Sequence, residues 1–145
     1  VKYTEPTAFI DINADITNKT VEVIGGETDL YKAIFKVADW VNHDVDYDLT
    51  TLTADAVQKS SWVYENKRGV CAEIPNLCIS MLSSVGIPAR FIGGQSYTNI
   101  GNKFGNHGWA EVYFPGEGWV PFDVTYGQYG WIDPAHLKYK ESTES

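Results

Sequence analysis

Residues 69–90 read Gly69-Val70-Cys71-Ala72-Glu73-Ile74-Pro75-Asn76-Leu77-Cys78-Ile79-Ser80-Met81-Leu82-Ser83-Ser84-Val85-Gly86-Ile87-Pro88-Ala89-Arg90. Ile74, Leu77, Cys78, Met81, Leu82 and Val85 recur at helical spacing and make one apolar face. The pattern predicts a helix over Cys71 to Val85, broken off from what precedes it by Arg68-Gly69 and stopped by Gly86, with Pro88 beyond. Cys71 then stands at a helix N-terminus, where unpaired N–H groups and the helix dipole favour negative charge, the setting of a nucleophilic thiol. Cys78 is two turns further on, roughly 10.5 Å of rise at ~1.5 Å per residue. That separation is too great for a disulfide, whose Cα atoms lie within ~7 Å. Cys78 is read as core.

The chain on either side is read in the same way. Leu30, Ile34, Val37, Ala38 and Val41 predict a helix from Leu30 to about His43, capped by Thr28 or Asp29. A shorter helix is expected over Ala54 to Ser60, introduced by Thr53. The first 27 residues alternate loosely (Phe9, Ile10, Ile12, then Val21, Val23, Ile24) and are read as an arm or short strands ending at Gly25-Gly26. Beyond Pro88 the character becomes β, with strands expected over 90–97, 108–114 and 119–124. Pro115-Gly116-Glu117-Gly118 is a hairpin loop between the last two. A short strand with Trp131 and Ile132 and a frayed tail after Tyr139 complete the expectation. Helices first and antiparallel strands second make an α+β fold. The 145 residues are expected to form a single domain, 1–27 as the arm or strands and 28–140 as the core.

A cysteine nucleophile needs an imidazole base and a group that orients it. Of His43, His107 and His136, His107 opens a predicted strand, and Asp123 ends the strand across the hairpin. Pairing 107 with 123 centres on residue 115 inside the loop, which makes the two side chains cross-strand neighbours at one end of a sheet.

Three blocks of the chain resemble the transglutaminase-like superfamily of papain-related thiol enzymes. They are Gly69-Val70-Cys71-Ala72-Glu73 through Gly86-Ile87-Pro88-Ala89-Arg90, His107-Gly108-Trp109-Ala110-Glu111-Val112-Tyr113, and Gly118-Trp119-Val120-Pro121-Phe122-Asp123-Val124-Thr125. The ending from Tyr129 to His136 is similar to microbial, especially archaeal, members. The resemblance covers roughly residues 30–137. It implies a transglutaminase-like fold with N-terminal helices on an antiparallel sheet, Cys71 as nucleophile, His107 as base and Asp123 as its orienting partner. The implied chemistry is acyl transfer at carboxamides of a glutamine- or amide-bearing protein or peptide. Hydrolysis by a protease, isopeptidase or amidase is the first reading and cross-linking by a transglutaminase the second. A non-catalytic binding domain is the alternative from another class. Gly108 stands where the family often has alanine, a change expected to leave the strand workable. The Cys71 N–H is the natural first oxyanion donor. For the second, some members use an upstream indole; Trp40, Trp62 and Tyr47 are upstream here without a matching motif, and Trp40 reads as core. Glu73 and Arg90 are expected to be structural and could pair.

Composition bounds the rest. With 11 basic against 19 acidic residues, the net charge of −8 argues against nucleic acid as partner. Two cysteines make no disulfide framework. No apolar run approaches the ~18 residues of a membrane span. A Cys71/His107/Asp123 zinc site is allowed by residue type, but no close ligand pair supports it. Asp44, Asp46, Asp48 and Asp55 fall at calcium-loop spacing, yet Leu49 stands where the loop needs glycine. Neither a metal nor a cofactor is expected. The chain begins at Val1 without a methionine or leader, and Asn18-Lys19-Thr20 matches a glycosylation acceptor. Both fit, weakly, an extracellular or cell-surface piece of a longer protein.

Overall fold

The computed structural model describes residues 2–51, 57–98 and 103–142. Its centre is α4 (Glu73–Ser84), in which every residue from Glu73 to Ser83 is buried. The Val70 carbonyl accepts from the N–H groups of Glu73 and Ile74, both at 2.9 Å, so Cys71 lies in the turn that leads into the helix, just before its Ala72 cap. The helix thus begins two residues after the expected start. Pro75 is tolerated because the first turn has no intrahelical N–H bonds to lose. At the other end Gly86 takes φ +82°, and the Ile87 N–H returns to Leu82 O at 3.0 Å. Each fully buried Leu, Ile or Met of α4 contributes about 1.5–3 kcal/mol.

A helix buried all round needs its polar side chains satisfied. Residues before α1 (Ala14–Ile24) do this: Ser80 Oγ donates to Asp11 O at 2.6 Å and Ser83 Oγ to Tyr3 O at 3.3 Å. The same arm caps α3 (Ser60–Asn66), where Asp11 Oδ1 accepts the Ser61 N–H at 2.9 Å. An arm is therefore present, but strands within the first 27 residues are not: residues 14–24 are helical. Asn13 caps α1 by accepting the Ile16 N–H at 2.8 Å, and Ile16 and Thr20 bury the face turned to its neighbours. Thr20 of the glycosylation pattern is fully buried, its hydroxyl bonded to Ile16 O.

Helix α2 (Leu30–Asp44) matches its expectation, with Asp29 as cap and Ala33, Ile34, Val37, Ala38 and Val41 buried. The helix expected over 54–60 is displaced. Its first residues lie outside the described ones, residues 57–59 are non-helical, and the turns run from Ser60 to Asn66 under the Asp11 cap.

The sheet holds, in order, β6 (Gln128–Tyr129), β5 (Gly118–Asp123), β4 (Lys103–Phe114), β3 (Ala89–Thr98) and β7 (His136–Ser142), all neighbours antiparallel. A two-residue parallel pair, β1 (Asp46–Tyr47) with β2 (Arg68–Gly69), lies before Cys71. Trp131 and Ile132 are not in a strand, and β7 continues past Tyr139 to Ser142, where the tail was expected to fray; the last three residues lie outside the described ones. Its charges are cross-strand partners: Lys138 pairs with Glu111 at 3.2 Å, and Arg90 pairs with Glu111 at 2.7 Å and Glu141 at 3.2 Å. Arg90 therefore does not pair with Glu73. It also lies 4.0 Å from the centre of the Trp119 ring. The β3–β7 register slips between Gly93 and Gly94, leaving Tyr139 as an extra residue opposite them.

Gly94 admits no side chain, since a Cβ there would sit 2.0 Å from Leu137 O. Gly94→Ala should cost at least about 2 kcal/mol by forcing β7 off β3. Urea unfolding measures this, and an unchanged midpoint would contradict the close approach.

Candidate active site

Three sheet strands and the head of α4 converge on one buried carboxylate. The β4–β5 register sets Ala110 opposite Phe122, which brings Asp123 level with Trp109 rather than with His107. The simple pairing expected from the hairpin is thus two residues out. His107 remains on the same face as a diagonal neighbour, within reach of a long side chain. His107 Nε2 lies 2.6 Å from Asp123 Oδ2. Asp123 Oδ1 accepts the Tyr126 N–H at 3.0 Å, and Asn42 of α2 anchors the following turn through Val124 O at 2.7 Å.

Two aromatic rings pack on His107. Tyr126 stacks on it at 4.3 Å and 11°, and Trp109 lies at 6.0 Å and 30°. With Nε2 committed to Asp123, Nδ1 is the nitrogen left for Cys71, which borders the same cavity. Burial pulls the His107 pKa down, but the hydrogen bond and charge of Asp123, with Cys71, outweigh it and push it up to about 9. Cys71 is partly exposed, with Sγ 3.9 Å from Asn106 O. Cys78 is buried in the core as expected, and burial pushes its thiol up to about 12.

Cys71 and His107 line two cavities. The larger, about 480 Å³, is bounded by Tyr47, Ser96, Thr125 and Tyr126; the other, about 290 Å³, by Phe91, Gly93, Gly94, Gly108 and Tyr139. Among the described residues, neither has a Lys, Arg, Asp or Glu in its wall. Gly108 is more than a workable change here: a Cβ would meet the Phe91 ring at 2.4 Å and Cys71 O at 3.0 Å. Of the three upstream aromatics, Trp40 packs on Tyr64 and Trp62 lies under Arg68. Tyr47 alone of them borders the Cys71 cavity, and burial together with a hydrogen bond to Cys71 raises its phenol, keeping it a donor.

Glu73 is fully buried yet accepts from Thr51 Oγ1, the Gln58 N–H and the Val70 N–H, at 2.5, 2.6 and 3.1 Å. It ties the loop before Cys71 to α4, the structural role expected of it. Asp48 bonds Thr50 and Arg68, while Asp55 of the calcium pattern lies outside the described residues.

His136 was read only as part of the resemblance, and the structure brings it in. Its Nε2 lies 2.8 Å from the same Asp123 Oδ2, and its Nδ1 lies 2.8 Å from Asp133 Oδ1. The Asp133-Pro134-Ala135-His136 turn was the available signal. His107, Asp123 and His136 are near enough to share an ion. The two N···O contacts, however, are direct hydrogen-bond distances.

The transglutaminase-like superfamily model matches residues 17–124. The chain belongs to this superfamily. It is 31% identical over 81 residues, 50% of this chain, to the protein-glutamine gamma-glutamyltransferase of Pseudomonas aeruginosa. The chain spans only about an eighth of the length of the curated relatives it matches, 12% and 13%. A crystal structure described as a candidate cysteine protease from Cytophaga hutchinsonii superposes with TM-score 0.80 at 19% identity, over 98% of this chain and 46% of that one. The periplasmic domain of TgpA from Pseudomonas aeruginosa gives 0.64 at 19% identity, over 86% and 46%. These likenesses show the shared papain-like, transglutaminase-like fold.

The raised His107 pKa has a consequence for stability. The folded state holds this proton more tightly than the unfolded chain, so its contribution is complete below about pH 6.5 and is lost as pH rises through about 9. Urea unfolding should show the wild type losing roughly 2–3 kcal/mol more than His107→Gln across that window. Equal slopes in the two proteins would contradict the ion pair.

Proposed function

We propose that the chain catalyses acyl transfer at carboxamide bonds through a thioester on Cys71, with water as the usual acceptor. The observation that supports this best is the His107 ring, clamped by Asp123 at 2.6 Å with its other nitrogen left for Cys71 in the wall of a cavity. The Cys71 sulfur attacks the carboxamide carbon as its proton resides on His107 Nδ1. The oxyanion that forms is met by the Cys71 N–H at the head of α4 and by the Tyr47 hydroxyl. Collapse expels the amine, which takes the His107 proton, and water then cleaves the thioester with His107 as base.

The described walls of the two cavities carry no Lys, Arg, Asp or Glu, which suits a neutral carboxamide, so a glutamine- or amide-bearing protein or peptide is the substrate class. Cross-linking to a primary amine is the second reading, favoured by the name of the Pseudomonas aeruginosa relative. The periplasmic placement of the TgpA domain supports work outside the cytoplasm.

At pH 7 a small alkylating agent should label Cys71 far faster than Cys78, and Cys71→Ala should abolish the fast phase. Equal slow labelling would overturn the enzymatic reading. Ammonia released from glutamine peptides without added amine indicates hydrolysis; release that requires a primary amine indicates cross-linking. Tyr47→Phe should lower kcat about 10²-fold, as loss of one oxyanion donor does, while leaving alkylation of Cys71 within a few-fold. An undiminished kcat would remove Tyr47 from the mechanism.

A further inference from the structure

His136 and Asp133 lie outside the span matched by the family model, yet they complete the surroundings of Asp123. The Asp123 carboxylate is 0% exposed, and one of its oxygens, Oδ2, faces two imidazoles at 2.6 and 2.8 Å. His136 is itself enclosed: its side chain is 1% exposed and stands edge-on to Trp109 at 5.0 Å. Both of its ring nitrogens meet carboxylate oxygens, each at 2.8 Å. A neutral imidazole carries one N–H and would turn a lone pair toward one of these acceptors. The ring that satisfies both contacts carries two.

We propose that His136, resting on the acyl-transfer reading above, is a positioning residue of the site: a doubly protonated imidazole that holds Asp123 in place and shares its charge. Charge balance requires such a partner. When Cys71 and His107 form a thiolate–imidazolium pair, they neutralise each other, and the buried Asp123 would otherwise lack a counter-ion of its own. His136 supplies it, and Asp133 holds His136 from outside. Asp133 is built for that task. Hydrogen bonds from Gln128 first, and also from His136 and the Ala135 N–H, keep its carboxyl below the usual range.

The effect on the reaction passes through His107. A carboxylate left wholly to His107 would hold the imidazolium proton more tightly and slow its delivery to the departing amine. Sharing Oδ2 with His136 tempers that hold. The other titratable groups facing the two rings are Cys71 before α4, Tyr126 after β5 and Asp133 before β7, with Tyr47 of β1 beyond Cys71.

Imidazole ¹⁵N NMR tests this without turnover, and the chain has only three histidines to assign. In a Cys71→Ala background, which removes the thiol from the titration, both His136 ring nitrogens should show the protonated signature from pH 6 to 8. His136→Gln, which keeps a donor but no charge, should move the His107 midpoint upward by about one unit. Asp133→Asn, at a partly exposed position, should leave His136 with one bare nitrogen at neutral pH even if His136→Gln does not fold. A bare His136 nitrogen at pH 7 in the background protein, or an unmoved His107 in folded His136→Gln, would overturn the proposal. Failure of Cys71 to label rapidly would instead overturn the acyl-transfer reading and leave these resonances unaffected.

Discussion

A single buried carboxylate, Asp123, sets the geometry on which the site depends. It ends β5, receives His107 from β4 and His136 from β7, and is braced by the Tyr126 N–H. A charge at 0% exposure persists only where donors surround it, so each strand must end at the right residue for the others to hold. The same requirement explains the glycines beside it. Gly94 brings β7 close enough for His136 to reach Asp123, and Gly108 lets β4 approach the Cys71 carbonyl.

The helix side of the molecule faces a parallel demand. Because α4 is buried on every side, its serines and Glu73 are satisfied by segments remote in sequence: the arm at Tyr3 and Asp11, and the loop through Thr51 and Gln58. The segment that carries Cys71 is held from both ends, by Glu73 in α4 and by the β1–β2 pair that also delivers Tyr47. The placement of Cys71 follows from these bonds and does not depend on local helix propensity.

The parts legible in the sequence were those marked by local chemistry. Gly86 and Pro88 stop α4, Asp29 caps α2, and Pro115 to Gly118 close the β4–β5 hairpin, so Cys71 near the head of α4 and Asp123 at the end of β5 were readable, while His107 lies inside β4 rather than at its start. What was missed depends on distant partners. Helix α1 is rich in β-branched residues, whose propensity favours strands, and only burial of Ile16 and Thr20 against its neighbours makes it helical. The polar tail looked frayed because Lys138 and Glu141 show their purpose only beside Glu111 and Arg90. The β4–β5 register was misjudged by two residues because loop length alone does not settle which residues pair. His136 was given no role because its two carboxylates meet it only once β7 lies on β3.

The most direct test of the account is to trap the acyl-enzyme. Treated with an activated ester of a glutamine-like acyl group and quenched in acid, the protein should gain one acyl mass, mapped by peptide analysis to Cys71. His107→Ala should form it far more slowly. An adduct that fails to form, or that is found on Cys78 or scattered over lysines with Cys71 unmodified, would contradict a nucleophilic Cys71.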